Sequence, residues 1–138
     1  MNMEIFRNSE FGSIRVIEED GKYLFCGSDV AKALGYSNPR KAVRDHARGG
    51  TKRSIPTASG DQTMTFLPEG DVYRLIVHSR LPGAERFEKW VFDEVLPTIR
   101  RTGGYMTSSL LEEAARHPEI LLSFADQLLA EHEKNRRL

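Results

Sequence analysis

Residues 40–53 hold six cations, Arg40, Lys41, Arg44, Arg48, Lys52 and Arg53, with Asp45 the single acid among them. Guanidinium and ammonium groups at that density do one kind of chemistry well. They hold phosphate oxygens, and an arginine fork can also grip the edge of a guanine. Arg40, Arg44 and Arg48 recur every four residues, so on a helix they share one face. Asn38, just ahead of them, stands where helix N-terminal amides could add a phosphate contact and where a side chain could touch a base edge. The whole chain is neutral, with 20 basic and 20 acidic residues, so the local +5 leaves −5 elsewhere. A field of one sign steers a polyanion even when the molecule as a whole carries no net charge. The plainer alternative is a solvated charged face.

Catalytic and metal-binding chemistry has less to work with. His46, His78, His117 and His132 show no metal-ligand spacing with cysteine or acids, so no metal site is expected. Asp45-His46 has the residue types of a nuclease pair, but no second carboxylate or lysine converges on it by sequence. Asp93 and Glu94 are neighbours on a helix and point about 100° apart, a poor acid/base pair. Gly49-Gly50-Thr51-Lys52 lacks the framing of a phosphate-binding loop. Cys26 is the only cysteine, lies in an apolar strand, and reads as buried rather than reactive. The expectation is no catalytic residues and no cofactor.

The elements that must carry the basic cluster are well punctuated. Ser13–Glu18 and Lys22–Cys26 read as strands joined at Asp20-Gly21, a favoured hairpin turn. Ser28 is a candidate cap for a short helix containing Asp29, Val30, Ala31 and Leu34, stopped by Gly35. Ser37 is a second candidate cap, and Pro39 suits the first turn of a helix running to about Ala47. Helix, glycine, turn and helix resemble a helix-turn-helix, with Ala31 small enough for the crossing. The phase differs from the usual one. Typical second helices bury the residues six and nine positions after the turn glycine, places held here by Lys41 and Arg44. The apolar pair falls at Ala42 and Val43 instead, so the second helix must start differently or be rotated.

Gly49-Gly50 ends that helix and releases a hairpin, Lys52–Thr57 and Thr63–Leu67, joined through Ala58–Gln62. Its placement resembles the wing of a winged helix, with an ordinary surface hairpin as the alternative; Arg74 and Arg80 could extend the basic surface. Glu69–Ser79 follows as a helix. A long one comes next, opened by Pro82-Gly83, closed by Gly103-Gly104, and kinked or shortened by Pro97. Arg100 and Arg101 suit its negative C-terminus. Beyond Tyr105 a polar joint leads to a short helix and a second one opened by Pro118. Leu121, Leu122, Phe124, Ala125, Leu128 and Leu129 give the latter an apolar stripe. The order implies an α+β fold: β-hairpins, a helix-turn-helix-like pair and a long C-terminal helix, then an amphipathic helical tail. The expected division is residues 1–105 and 106–138, the second being a helical tail or the start of a truncated C-terminal region. A tail this short must dock on its own domain or on another copy, making a homodimer through residues 107–138 one of two expectations.

An apolar fraction of 39% with 29% charged residues is ordinary for a globular protein. No apolar run approaches the roughly 20 residues that span a bilayer, and the N-terminus has no signal-peptide core. A reduced, cytoplasmic setting without membrane contact is the simplest expectation.

Several stretches also carry a family likeness. SRLPGAERFEKWVFDEVLPTIRRTGGY, Ser79 to Tyr105, resembles the closing signature of the Bro-N family, the N-terminal domain of Bro proteins and of many phage antirepressors. DVAKALGY, Asp29 to Tyr36, resembles the same family, as do Pro68-Glu69-Gly70 and Tyr73-Arg74-Leu75. The likeness covers roughly residues 5 to 105, with its motifs in order. It implies a small DNA-binding domain of phage or prophage regulatory type, acting in a bacterial host cell on double-stranded DNA. The alternative it implies is an antirepressor that touches a phage repressor protein rather than DNA. On the first reading Asn38, Arg40, Lys41, Arg44, Arg48, Lys52 and Arg53 form the DNA-binding set.

Overall fold

A computed structural model describes residues 2–8 and 12–136. The chain divides into two compact units, Met1–Glu94 and Val95–Leu138. The fold is α+β, as the element order implied.

The first unit is built on a five-stranded antiparallel sheet of order β1-β2-β3-β5-β4. Its strands are β1 Asn2–Asn8, β2 Gly12–Glu19, β3 Lys22–Cys26, β4 Thr51–Thr57 and β5 Gly60–Leu67. β2 and β3 meet at the foreseen turn, where Asp20 and Gly21 take φ of 52° and 76°, the left-handed pair that a two-residue hairpin of this twist requires. β4 and β5 turn more tightly than expected, over Ala58 and Ser59 alone. Thr57 accounts for this: its Oγ1 donates to the Gly60 carbonyl at 2.6 Å and accepts from the Ser59 N–H. β1 had no counterpart in the sequence reading.

Helices α1 Gly27–Ala33, α2 Pro39–His46, α3 Glu69–Val77 and α4 Pro82–Trp90 complete this unit. Val30, Ala31, Leu34, Ala42, Leu67, Leu75 and Ala84 form the core between helices and sheet, joined by Ile14 and Phe25 from the strands. Residues of opposite parity, Ile17, Cys26, Ile55 and Phe66, make a second cluster on the other side of the sheet. Cys26 is buried there, as its apolar strand suggested.

Two caps differ from expectation by one or two residues. α1 begins after Cys26 with no side-chain cap, and Ser28 lies inside the helix, where its hydroxyl sits 3.5 Å from Cys26 Sγ. Its first turn is held instead by Asp29, whose carboxylate accepts from the Arg15 backbone N–H, Nε and Nη2 at 3.0, 2.8 and 2.8 Å. α2 is capped by Asn38 rather than Ser37, with Asn38 Oδ1 accepting from the Lys41 N–H.

Gly35 joins the two helices at φ +82°, and a β-carbon there would meet Leu81 side-chain atoms at 3.0 Å. Both conditions penalise any other residue. Gly35→Ala is expected to cost about 2 kcal/mol of stability, read as a lower urea midpoint at unchanged slope. An unchanged midpoint would show that the turn relaxes freely.

The long helix after Pro82 is interrupted sooner than expected. α4 gives way to a π-helical turn at Val91–Val95, and α5 spans Leu96–Thr102. Pro97 is the cause: it cannot donate to the Asp93 carbonyl and its ring crowds that oxygen, so the turn ahead of it widens by a residue. Gly103, at φ +88°, ends α5. The second unit then contains α6 Ser108–Arg116, capped by the Thr107 hydroxyl, and α7 Glu119–Arg136. No described helix is long and apolar enough to cross a membrane.

Candidate nucleic-acid interface

α2 is oriented by its one buried residue, Ala42, which seats the helix on the core. Arg40 and Arg44 then fall on the opposite side of the helix, Val43 and Ala47 beside them, and Lys41 and Asp45 on the remaining flank. This is the rotation that the displaced apolar pair implied. The arginine side of α2 faces the β4–β5 hairpin across a groove of about 610 Å³. Its walls are Arg40, Val43, Arg44, Ala47 and Arg48 from α2 and its end, Lys52, Thr63, Met64 and Thr65 from the hairpin, with Ser28 and Gly50 below.

Four of the expected cations, Arg40, Arg44, Arg48 and Lys52, are therefore brought to one concave surface, although Lys52 lies on a different element. Among the described residues none of the four forms an ion pair with a carboxylate, although the charge of Arg44 helps Lys41 hold the Asp45 carboxyl below its usual range. The four line the groove together with the hydroxyls of Thr63 and Thr65 in the hairpin wall, which are donors suited to phosphate oxygens.

The other three expected residues are placed otherwise. Lys41 Nζ is 2.8 Å from Asp45 on the flank away from the groove. Arg53 follows strand parity onto the side of Ile55 and donates through Nε and Nη2 to both Glu19 carboxylate oxygens, each at 2.8 Å. That hydrogen-bonded guanidinium holds the Glu19 carboxyl below its usual range. Asn38 is committed to capping α2. Arg74 is also neutralised, with Nη1 2.7 Å from Asp71.

Asp71 is the buried anchor of this region that the sequence did not announce. Fully buried in the first turn of α3, it accepts from the backbone N–H groups of Arg48 and Gly49 at 3.0 and 2.7 Å, and from Arg74. Burial pushes its carboxyl up, but the two N–H groups and Arg74 outweigh that and hold it below the usual range. One carboxylate thus fixes the chain where α2 ends and β4 begins, between Arg48 and Lys52. The passage is tight: a β-carbon on Gly50 would come within 2.8 Å of Thr65 Cγ2 in the hairpin wall of the groove.

The residue pairs weighed for catalysis have other partners. Asp45 is paired with Lys41, while His46 stacks on His78 with ring centroids 4.2 Å apart and lies 5.9 Å from Tyr36. His78 Nδ1 is 2.9 Å from the Arg74 carbonyl, so these rings pin α2 to α3. Asp93 and Glu94 are engaged separately, by Lys89 at 3.0 Å and by Trp90 Nε1 at 2.9 Å. Among the described residues no group of three histidines, cysteines or acids is placed to hold a metal ion.

Comparison with known proteins places these elements in a wider set. A family model described as "BRO family, N-terminal domain" matches residues 13–97. An uncharacterized protein of Haemophilus influenzae is 50% identical, over 79% of this chain and 55% of its own. The Bro-N domain-containing protein 289L of Invertebrate iridescent virus 6 is 32% identical, over 65% of this chain and 26% of its own. The Bro-N domain-containing protein L2 of Acanthamoeba polyphaga mimivirus is 30% identical, over 75% and 48%. The chain therefore spans about half the length of the Haemophilus relative and between a quarter and a half of these viral ones. No solved structure matches.

Proposed function

The chain belongs to the BRO family through its N-terminal domain, and from that premise we propose that it is a non-enzymatic, DNA-binding regulatory module of the phage or prophage antirepressor type. It grips duplex DNA by its phosphate backbone, along the groove between α2 and the β4–β5 hairpin. The observation that carries this reading is the convergence on one concave surface of Arg40, Arg44, Arg48 and Lys52, none of them ion-paired to a carboxylate among the described residues. Phosphate binding needs charge and reach more than helical phase, so the rotated α2 is no obstacle to it. Backbone contacts set affinity and orientation; any base reading falls to the arginine tips.

The test is fluorescence anisotropy of a labelled random duplex titrated at several salt concentrations. Four phosphate contacts predict that log affinity falls with log salt at a slope of roughly −3 to −4. Absence of binding at low salt would leave the groove cations as a solvated face. The regulatory role would then rest on contact with a repressor protein, detectable as nuclease-resistant co-purification with a phage-type repressor.

A further inference from the structure

α7 Glu119–Arg136 has no buried residue among those described, and only Ile120 and Phe124, one turn apart, are half-covered. They mark the side on which α6 packs. A second apolar face lies about 100° round the helix. Leu121, Ala125 and Leu128 follow one another at steps of four and three, with Leu122 and Leu129 alongside. The four leucines are 48%, 72%, 52% and 63% exposed. Together they present roughly 400 Å² of side chain, a patch size that on soluble proteins marks a contact site.

The spacing and the charges point to one occupant. Seven-residue rows run along α7: Leu121 with Leu128, Leu122 with Leu129 and Arg136, and the acidic Glu119 with Asp126 and Glu133. We propose that α7 is a self-association helix, pairing in parallel with α7 of a second copy through Leu121, Ala125, Leu128 and His132. In a parallel pair each seam position meets itself, and a residue flanking the seam faces the one five positions later in the other helix. Glu131 of one copy then meets Arg136 of the other, twice by symmetry, and replaces the exposed contact of 3.4 Å that Arg136 makes with Glu133 in the single copy, while the acidic row stays in solvent. An antiparallel pair would instead set the Leu122/Leu129 flank, and the three carboxylates beside it, against the same carboxylates of the partner. Self-pairing in parallel satisfies both the apolar face and the charges.

The buried area is smaller than a standard interface, so the dimer dissociates on dilution, with an expected dissociation constant on the order of micromolar. Sedimentation equilibrium of the whole chain from about 5 to 200 µM should show monomer passing to dimer. Leu128→Asp should weaken association at least tenfold with the far-ultraviolet dichroism unchanged, since the residue is exposed in the single copy. Glu131→Arg and Arg136→Glu should each weaken it several-fold, and the two together should restore it. A monomer throughout that range, an unaffected Leu128→Asp dimer, or a double exchange that fails to restore association would each overturn the proposal, the last by removing the parallel register.

Discussion

Replacing Asp71 with alanine is expected to remove about 3 kcal/mol of stability and lower the melting temperature by roughly 10 °C. The substitution deletes a buried carboxylate that accepts two backbone N–H groups and one guanidinium. Hydrogen bonds to a charged acceptor contribute about 1.5–3 kcal/mol each to stability, net of the water they replace. Arg74 recovers part of that loss, because its side chain is 45% exposed and can turn to water. The N–H groups of Arg48 and Gly49 recover less, since the chain there is held between Pro68 and the sheet. A melting temperature within about 2 °C of the parent would show that the loop is held by other contacts.

The same carboxylate gives a pH signature with a definite sign. The folded-state pKa of Asp71 is depressed below the ordinary value of about 3.9. Its contribution is therefore complete above that ordinary value and is lost as pH falls through the lower, folded-state one. Asp29, held low by Arg15 against the opposing effect of burial, adds to the same acid limb. Asp71→Asn keeps most of the shape and removes one titration, so it should be less stable near neutrality yet lose less on acidification from about pH 5 to pH 2. Parallel curves for variant and parent would mean that Asp71 has the same pKa folded and unfolded.

How far the site was legible follows from the range of the interactions that build it. The four-residue spacing of Arg40, Arg44 and Arg48 is a local property, and a helix converts it directly into a shared face. Asp20-Gly21, Pro39 and Gly35 acted through backbone preferences within a few residues and stand where they were read. The caps slipped for different reasons: α1 starts after Cys26 with no side-chain cap because Arg15 holds Asp29 in its first turn, whereas Asn38 takes the α2 cap from Ser37 by a single position. Arg53 was assigned to the DNA-binding set by charge alone. Its parity with Ile55, two residues on, was the available signal that it would lie on the other side of the strand. Its partner Glu19, on β2, is set by sheet topology and no local pattern indicates it. Asp71 lay beyond reach for the same reason: PEGDVYR reads as an acidic helix start, and only the tertiary path of Arg48 and Gly49 makes its carboxylate a buried anchor.

The double substitution Arg40→Glu, Arg44→Glu should reduce DNA affinity more than about a hundredfold at 0.1 M salt. Each phosphate neutralised contributes a factor of about eight there through counterion release, so losing two contacts accounts for roughly sixtyfold before repulsion is added. The salt slope should fall by about two at the same time. Both arginines point away from the residue that seats α2, so the fold should be altered by no more than about 0.5 kcal/mol per site. Single neutralisations then locate the DNA. Lys52→Gln should lower the slope by about one, because Lys52 lines the groove. Arg53→Gln, one residue along but on the opposite face and paired with Glu19, should leave both affinity and slope nearly unchanged. Equal losses from Lys52→Gln and Arg53→Gln would mean that the backbone of the DNA does not follow the groove. A folded double-glutamate variant with parental affinity would remove α2 from the interface altogether. Adjacent cations of equal charge thus become opposite controls, because strand parity sends one to the groove and the other to a carboxylate.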